Sequence, residues 1–295
     1  MSLRLFALAA SAACFSMFAH AGSLKTLPNL ASPLAVVQDA KTGQVLFSKN
    51  ANNAVSMASI TKLMTAMVIL DGPSSWLDLY VAIDTSDIDT LKHSSSRLPV
   101  GSVWTVRQLL QLALIASDNR AAHALGRVYP GDILRAMQKK AHSMGLTNTH
   151  FHDTSGLHPG NQTTPLELAH LTSFAAQYAL IRDYSTRSEV VLPLNGKPTV
   201  FKNTNAIVRE STWPTLWLSK TGFTNEAGRC VAMMGKLGER AITLVLMASH
   251  SSAERTRDIQ KVQHWLDGST YKLPTESTPK KVVAKAKRKE SKPKL

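Results

Sequence analysis

Three short polar runs follow one another along the 295-residue chain: Ser59-Ile60-Thr61-Lys62, Ser117-Asp118-Asn119 and Lys220-Thr221-Gly222. Together they hold hydroxyls, two amines and an amide, the groups a serine needs to attack a carbonyl with an amine as its base. No run is persuasive alone, because the chain contains copies of each pattern. Ser-x-x-Lys recurs at Ser277–Lys280 and Ser291–Lys294, Ser-x-Asn at Ser48–Asn50, and Lys-Thr-Gly at Lys41–Gly43. Their surroundings separate them. The two distal Ser-x-x-Lys sites sit in a lysine-rich tail with too few apolar residues to build a pocket. Lys41–Gly43 lies between two strand-like runs, Leu34–Gln38 and Gln44–Phe47, and reads as a hairpin turn, with Ser48–Asn50 as the turn that follows.

Ser59 stands elsewhere. Ile60, Leu63, Met64, Met67 and Val68 recur with helical spacing, which predicts a helix starting near Ser59 and puts Ser59 and Lys62 on one face, one turn apart. Alone, the pair would read as an N-cap serine and an exposed lysine. As a catalytic pair it needs a neutral amine, which burial and a second nearby cation both favour. Lys220 is the candidate second cation, and neutral Lys62 would take the Ser59 proton. The Ser59 N–H, at a helix start, is one candidate oxyanion donor and the Phe223 N–H, just after the Lys-Thr-Gly strand, the second. Ser117 would relay a proton to the leaving amine, Asn119 would hold a substrate amide or the lysine, and Asp118 reads as a helix cap. Lys220 and Thr221 would bind a substrate carboxylate or carbonyl, and Gly222 would let a substrate backbone lie against the strand edge.

The elements that must position these groups are strands at both ends of the chain with helices between. Leu34–Gln38, Gln44–Phe47, Leu216–Thr221, Arg229–Met234 and Ile242–Met247 predict one antiparallel five-stranded sheet. Helices are expected near 59–70, 106–116, 119–127, 131–143, 165–178 and 253–265. This is an α+β fold, the sheet flanked by helices with a helix-rich insertion.

With these residues in view, the chain resembles the low-molecular-weight penicillin-binding proteins, whose signature includes this trio. Within them it resembles the D-alanyl-D-alanine endopeptidases of the penicillin-binding protein 7 type. The likeness runs from about Leu34 to Trp265 and includes the segments Asp39–Val45, Ala58–Val68, Ser117–Ala122, Thr154–Leu157, Asn203–Asn205 and Lys220–Gly228. The resemblance implies a β-lactamase/transpeptidase-like fold and an acyl-enzyme on Ser59. It also implies hydrolysis of D-alanyl cross-links in peptidoglycan, acylation by β-lactams, and no metal or organic cofactor. Class A β-lactamases activate water through Glu-x-x-x-Asn. Here Glu167 is followed by Leu171, and Thr164-Pro165-Leu166-Glu167 reads as a helix start closed by a capping box. The short stretch after Gly222 leaves no room for the extra β-rich domain usual in D,D-carboxypeptidases, which favours the endopeptidase branch. A carboxypeptidase, or a β-lactam- and peptidoglycan-binding protein without turnover, is the alternative.

Residues 1–21 read as a signal peptide: Arg4, an apolar core over Leu5–Phe18, and Ala19-His20-Ala21 with cleavage after Ala21. That core is too short to span a membrane, and export places the protein in the periplasm. Residues 22–271 form the peptidase domain, in which Cys230 is the single remaining cysteine and lacks a partner for a disulfide. The net charge is +14, and about half of it sits in residues 272–295, which hold nine Lys or Arg against two Glu. Such a tail is expected to be disordered and to face anionic envelope polymers or lipid head groups, or to solvate the chain with no partner; export argues against nucleic acid. His150 and His152 lack the acidic or cysteine neighbours of a metal site. His152, Asp153 and Ser155 share a loop without forming a triad by adjacency alone.

Overall fold

The computed structural model describes residues 29–268. The expected signal peptide, 1–21, and basic tail, 272–295, lie outside the described residues.

The five-stranded antiparallel sheet forms as expected. Strands β1 (Leu34–Asp39) and β2 (Val45–Lys49) come from the start of the domain. β3 (Val55–Ser56), β4 (Tyr80–Ala82), β5 (Val103–Thr105), β6 (Gln162–Thr163), β7 (Glu189–Leu194) and β8 (Lys197–Lys202) belong to three small two-stranded sheets. β9 (Thr215–Thr224), β10 (Gly228–Leu237) and β11 (Arg240–Ser249) complete the main sheet in the order β2-β1-β11-β10-β9. Helices α1 (Lys62–Leu70), α2 (Val106–Ile115), α3 (Asn119–Val128), α4 (Ile133–Ser143), α5 (Pro165–Ala175), α6 (Ala179–Thr186) and α7 (Ala206–Arg209) lie between the two sets of strands. α8 (Ser252–Asp267) follows the last strand.

The central strands are apolar along their length because both faces are covered. Val36, Ala232 and Val245 point into a core shared with the helical region, while Val37, Val231 and Leu244 pack on the other face with Ile259, Val262 and Trp265 of α8. α8 is held at its start by Ser251, whose hydroxyl accepts the Glu254 N–H, and ends at Gly268 with a φ of 76°. α1 is buried from Lys62 to Ile69, so it runs through the core rather than over it.

Four expectations need correction. The chain enters α1 through a 3-10 turn, Ala58–Thr61, so Ser59 precedes the α-helix. In a 3-10 turn residues i and i+3 eclipse, which keeps Ser59 and Lys62 on one side more strictly than an α-helix would. Lys220–Gly222 lies inside β9, which runs on to Thr224 because Gly228 and Cys230 of β10 pair with Thr224 and Gly222. Ser48 and Lys49 belong to β2, not to a turn. Finally, α5 stops at Ala175, and a separate α6 and the β7–β8 hairpin follow. The hairpin turns on Asn195 and Gly196, both at positive φ, a two-residue signal present in the sequence.

Two glycines fix the approach of the sheet and a loop to the 3-10 turn. A Cβ on Gly156, at φ 86°, would lie 1.9 Å from the Ala58 carbonyl oxygen, and one on Gly222 would lie 2.9 Å from that of Met57. Gly156→Ala is therefore expected to destabilise the protein by roughly 2–4 kcal/mol, lowering Tm by roughly 5–10 °C in a calorimetric scan. Gly145→Ala is at a comparable φ of 75° with open space around it, and should lose only about 1 kcal/mol. Equal losses at the two positions would show that the Gly156 contact is not tight.

Candidate active site

The three polar runs converge. Lys62 Nζ, on a residue 1 % exposed, lies 2.9 Å from Ser59 Oγ, 2.7 Å from Asn119 Oδ1 and 2.6 Å from the Ser155 carbonyl oxygen. Two of these neighbours can only accept hydrogen bonds; the third is a hydroxyl able to donate. A neutral amine has two N–H donors and one lone pair, so this set satisfies –NH2 with its lone pair toward the Ser59 hydroxyl. Burial pushes the Lys62 amine down to about 7, against the opposing pull of Asp153, Asp118 and Asp89.

Lys220, also 1 % exposed, places Nζ 2.8 Å from Ser117 Oγ and 2.9 Å from the Thr221 carbonyl. Burial, then Lys62, then Arg255 hold it well below the usual lysine range. The sequence suggested that Lys220 acts as the cation depressing Lys62. In the structure burial is the largest cause of both the Lys62 and the Lys220 shift, and the two buried amines disfavour each other's charge.

Each group is held by an identifiable device. Asp118 caps α3 as expected, its carboxylate accepting the Ala121 N–H at 2.9 Å. Asn119, the first residue of that helix, spends both ends of its amide: Oδ1 accepts from Lys62, and Nδ2 donates to Ser94 Oγ at 2.8 Å. Of the two roles read for Asn119, the geometry supports the lysine. Ser94 is presented by a loop gathered on Asp89, which burial alone would push up. The N–H groups of Lys92, Ser94 and Leu91, with the Ser94 hydroxyl, outweigh burial and hold its carboxyl at about 2.

The loop that supplies the Ser155 carbonyl is organised by Asp153, whose carboxylate accepts the N–H groups of Ser155, Gly156 and His158 and the Asn161 amide. Thr65 donates to the Thr154 carbonyl and Thr154 to the Ala122 carbonyl, which pins that loop to α1 and α3. Ser155 does meet a histidine, His123 Nε2 at 3.0 Å. It is fully buried, however, while Ser59 is partly exposed. His152 instead stacks on His158 with ring centroids 4.8 Å apart.

Ser59, Ser117, Thr221, Gly222 and Phe223 line a cleft of about 200 Å³ with Thr204, Arg229, Ser252 and Arg255. Sequence reasoning missed Arg255. It stands on α8, is 5 % exposed, donates to the Cys230 carbonyl at 3.1 Å and leaves Nε without a partner. Its buried guanidinium brings positive charge to the wall of the cleft that holds Ser59, which suits a substrate carboxylate. Nothing in the local sequence of α8 marks this arginine. Thr204, from the Asn203–Asn205 segment, meets Thr221 hydroxyl to hydroxyl at 2.6 Å. Gly222 serves the packing of the Ser59 backbone as well as the cleft. A Cβ there would lie 3.1 Å from the Ser59 nitrogen, so Ser59 N and the Gly222–Phe223 segment are neighbours. Burial pushes the Cys230 thiol up to about 11, which leaves it unreactive. Glu167 is turned away from this chemistry: its carboxylate accepts the Asn148 N–H and amide and the Thr149 hydroxyl. Only half of the expected capping box therefore forms, Thr164 Oγ1 accepting the Glu167 N–H.

Comparison with known proteins agrees with this geometry. Residues 22–251 match the peptidase S11 family, D-alanyl-D-alanine carboxypeptidase. A D-alanyl-D-alanine endopeptidase of Pseudomonas aeruginosa is 38% identical over 243 residues, 81% of this chain and 78% of the relative. One from Escherichia coli is 35% identical over 253 residues, 84% of this chain and 81% of the relative. Among solved structures, the DD-transpeptidase of Streptomyces K15 superposes with a TM-score of 0.75 at 28% identity, covering 81% of this chain and 98% of that one.

With Lys62 titrating at about 7, its lone pair is lost as pH falls. The second-order rate constant for acylation of Ser59 by benzylpenicillin should drop about tenfold per pH unit below that value and level off above it. A profile flat between about pH 5 and 9 would show that Lys62 is not the base.

Proposed function

The chain belongs to the peptidase S11, D-alanyl-D-alanine carboxypeptidase family, and we propose that it is the endopeptidase kind of serine D,D-peptidase, cutting D-alanyl cross-links of peptidoglycan during cell-wall remodelling. The observation that carries the reading is the Lys62 amine seated between Ser59, Asn119 and Ser155.

Ser59 Oγ attacks the carbonyl of the D-alanyl residue as its proton passes to Lys62. The oxyanion is met by the N–H groups of Ser59 and Phe223; one such donor is worth about 10²–10³ in rate. Ser117 hands its proton to the leaving amine and regains one from the Lys62 ammonium, relayed by Lys220, which frees the amine, leaves the acyl-enzyme and returns Lys62 to its neutral form. Water then gives a proton to Lys62 as it adds to the acyl carbonyl, and Ser59 Oγ leaves with that proton, which releases the acyl group. Thr221 and Arg255 bind a carboxylate of the substrate, Lys220 acts beside them through Ser117, and Asn119 holds Lys62. β-Lactams enter as acylating inhibitors. The 38% and 35% identical endopeptidases support cross-link cleavage over carboxypeptidation.

The apolar leader supports a periplasmic location with cleavage after Ala21, and among the described residues no helix is long and apolar enough to cross a membrane. The lysine-rich segment 272–295 would hold the enzyme near anionic envelope surfaces. Deleting it should weaken salt-dependent co-sedimentation with cell-wall sacculi, and unchanged binding would remove that role.

Fluorescent penicillin should label the wild-type protein, and a cross-linked muropeptide dimer should fall to monomers by mass. Ser59→Ala should take no label and lose at least about 10³-fold in turnover. A labelled wild type that leaves the dimer intact would establish the non-hydrolysing binding protein instead.

A further inference from the structure

Ser117 stands in the wall of two hollows. One is the cleft that holds Ser59; the other is larger, about 600 Å³, and lies between the Ser95–Arg97 stretch and strand β8. Ser117 has the left-handed φ of 58°, an uncommon conformation for a residue with a side chain.

If Ser117 gives a proton to the leaving amine, the chain attached to that amine starts against Ser117. In a carboxypeptidase that chain is a single amino acid. In a cross-link it is a second peptide, joined through the side-chain amine of a diamino acid, and it needs room beyond the cleft. The second hollow has the volume of a small-ligand pocket, and two cationic residues, Arg97 and Lys202, stand in its wall. The Arg97 guanidinium lies 3.8 Å over the buried Phe201 ring and spends one N–H on the Val200 carbonyl at 2.9 Å. This fixes its plane and leaves its other N–H groups uncommitted. Exposed Lys202 also lines the hollow; its side chain has no hydrogen bond or ion pair to another described residue, and Glu189 stands opposite it across the β7–β8 pair. The acid in the lining, Asp118, is already engaged by the Ala121 N–H and the Ser96 hydroxyl. What remains is a cationic lip, with Arg97 braced on the buried Phe201 ring, suited to carboxylates.

We propose that this hollow is the subsite for the leaving strand of the cross-link, whose carboxylates pair with Arg97 and Lys202. The proposal rests on the endopeptidase reading and names the peptide that reading requires on the amine side. It makes Arg97 and Lys202 specificity determinants with no part in bond breaking.

The test compares two cross-linked muropeptide dimers, one with free carboxylates on the amine-side peptide and one with them amidated. The proteins are the wild type and the Arg97→Gln/Lys202→Gln double variant. Benzylpenicillin titration counts competent Ser59 sites, so rates are expressed per competent site. Wild-type kcat/KM should be about five- to tenfold higher on the free-carboxylate dimer, the size expected for two partly exposed ion pairs. The preference should shrink with added salt and vanish in the double variant. A wild type that treats both dimers alike, or a variant that keeps the preference or slows equally on both, would overturn the subsite. Penicillin labelling without cleavage of either dimer would instead remove the peptidase reading, and the subsite with it.

Discussion

A lysine amine buried in a protein core is costly as an ammonium, and the account of this molecule turns on how that cost is met. Lys62 sits on a helix that is apolar nearly all round, and among the described residues no carboxylate forms an ion pair with it. Its partners are a hydroxyl, an amide oxygen and a backbone carbonyl. None of them carries a charge to offset an ammonium, so burial favours the uncharged amine, and an uncharged amine beside a partly exposed serine is a base. The stability problem of the buried lysine and the chemistry of the serine therefore have one solution.

Much of the architecture maintains that seat. α1 carries Lys62 through the core. α3 starts where Asn119 must be because Asp118 caps it, and the loop gathered on Asp89 fixes the far end of the Asn119 amide. The Asp153 loop delivers the Ser155 carbonyl, and the glycines at 156 and 222 let that loop and strand β9 close on the turn bearing Ser59. Two of the seven described non-glycine residues at positive φ belong to this site. Ala58 and Ser117, neither a glycine, hold φ values of 47° and 58° beside the two reactive hydroxyls. Conformations of this kind persist where surrounding contacts over-determine them.

How much of this could be read beforehand depended on the range of the interaction. The inner strands β1, β10 and β11 were legible because both faces are covered and their runs are apolar, edge strand β2 because a turn signal at Lys41–Gly43 precedes it, and the helix starts at Asp118 and Thr164 because capping is a local chemistry. The trio of polar runs located the reactive groups. The details that decide the chemistry were not local. The Ser155 carbonyl reaches Lys62 from 93 positions away, and a backbone oxygen leaves no mark in residue type. Arg255 enters the cleft from the helix beyond the sheet. Lys220–Gly222 looked like a strand end because Gly222 and Thr224 break the apolar pattern, yet pairing with β10 carries the strand past both. The β7–β8 hairpin was announced by Asn195-Gly196, and its strands were missed because only one face of them is covered.

The most direct test is to watch the Lys62 amine itself. In protein carrying isotope-labelled lysine, with Lys62→Arg used for assignment, the Lys62 side-chain carbon next to the amine can be followed by NMR as pH is varied. The account predicts a titration centred near 7, far below that of the exposed lysines. A Lys62 signal that stays in its charged position until the ordinary lysine range, near 10.5, would contradict it.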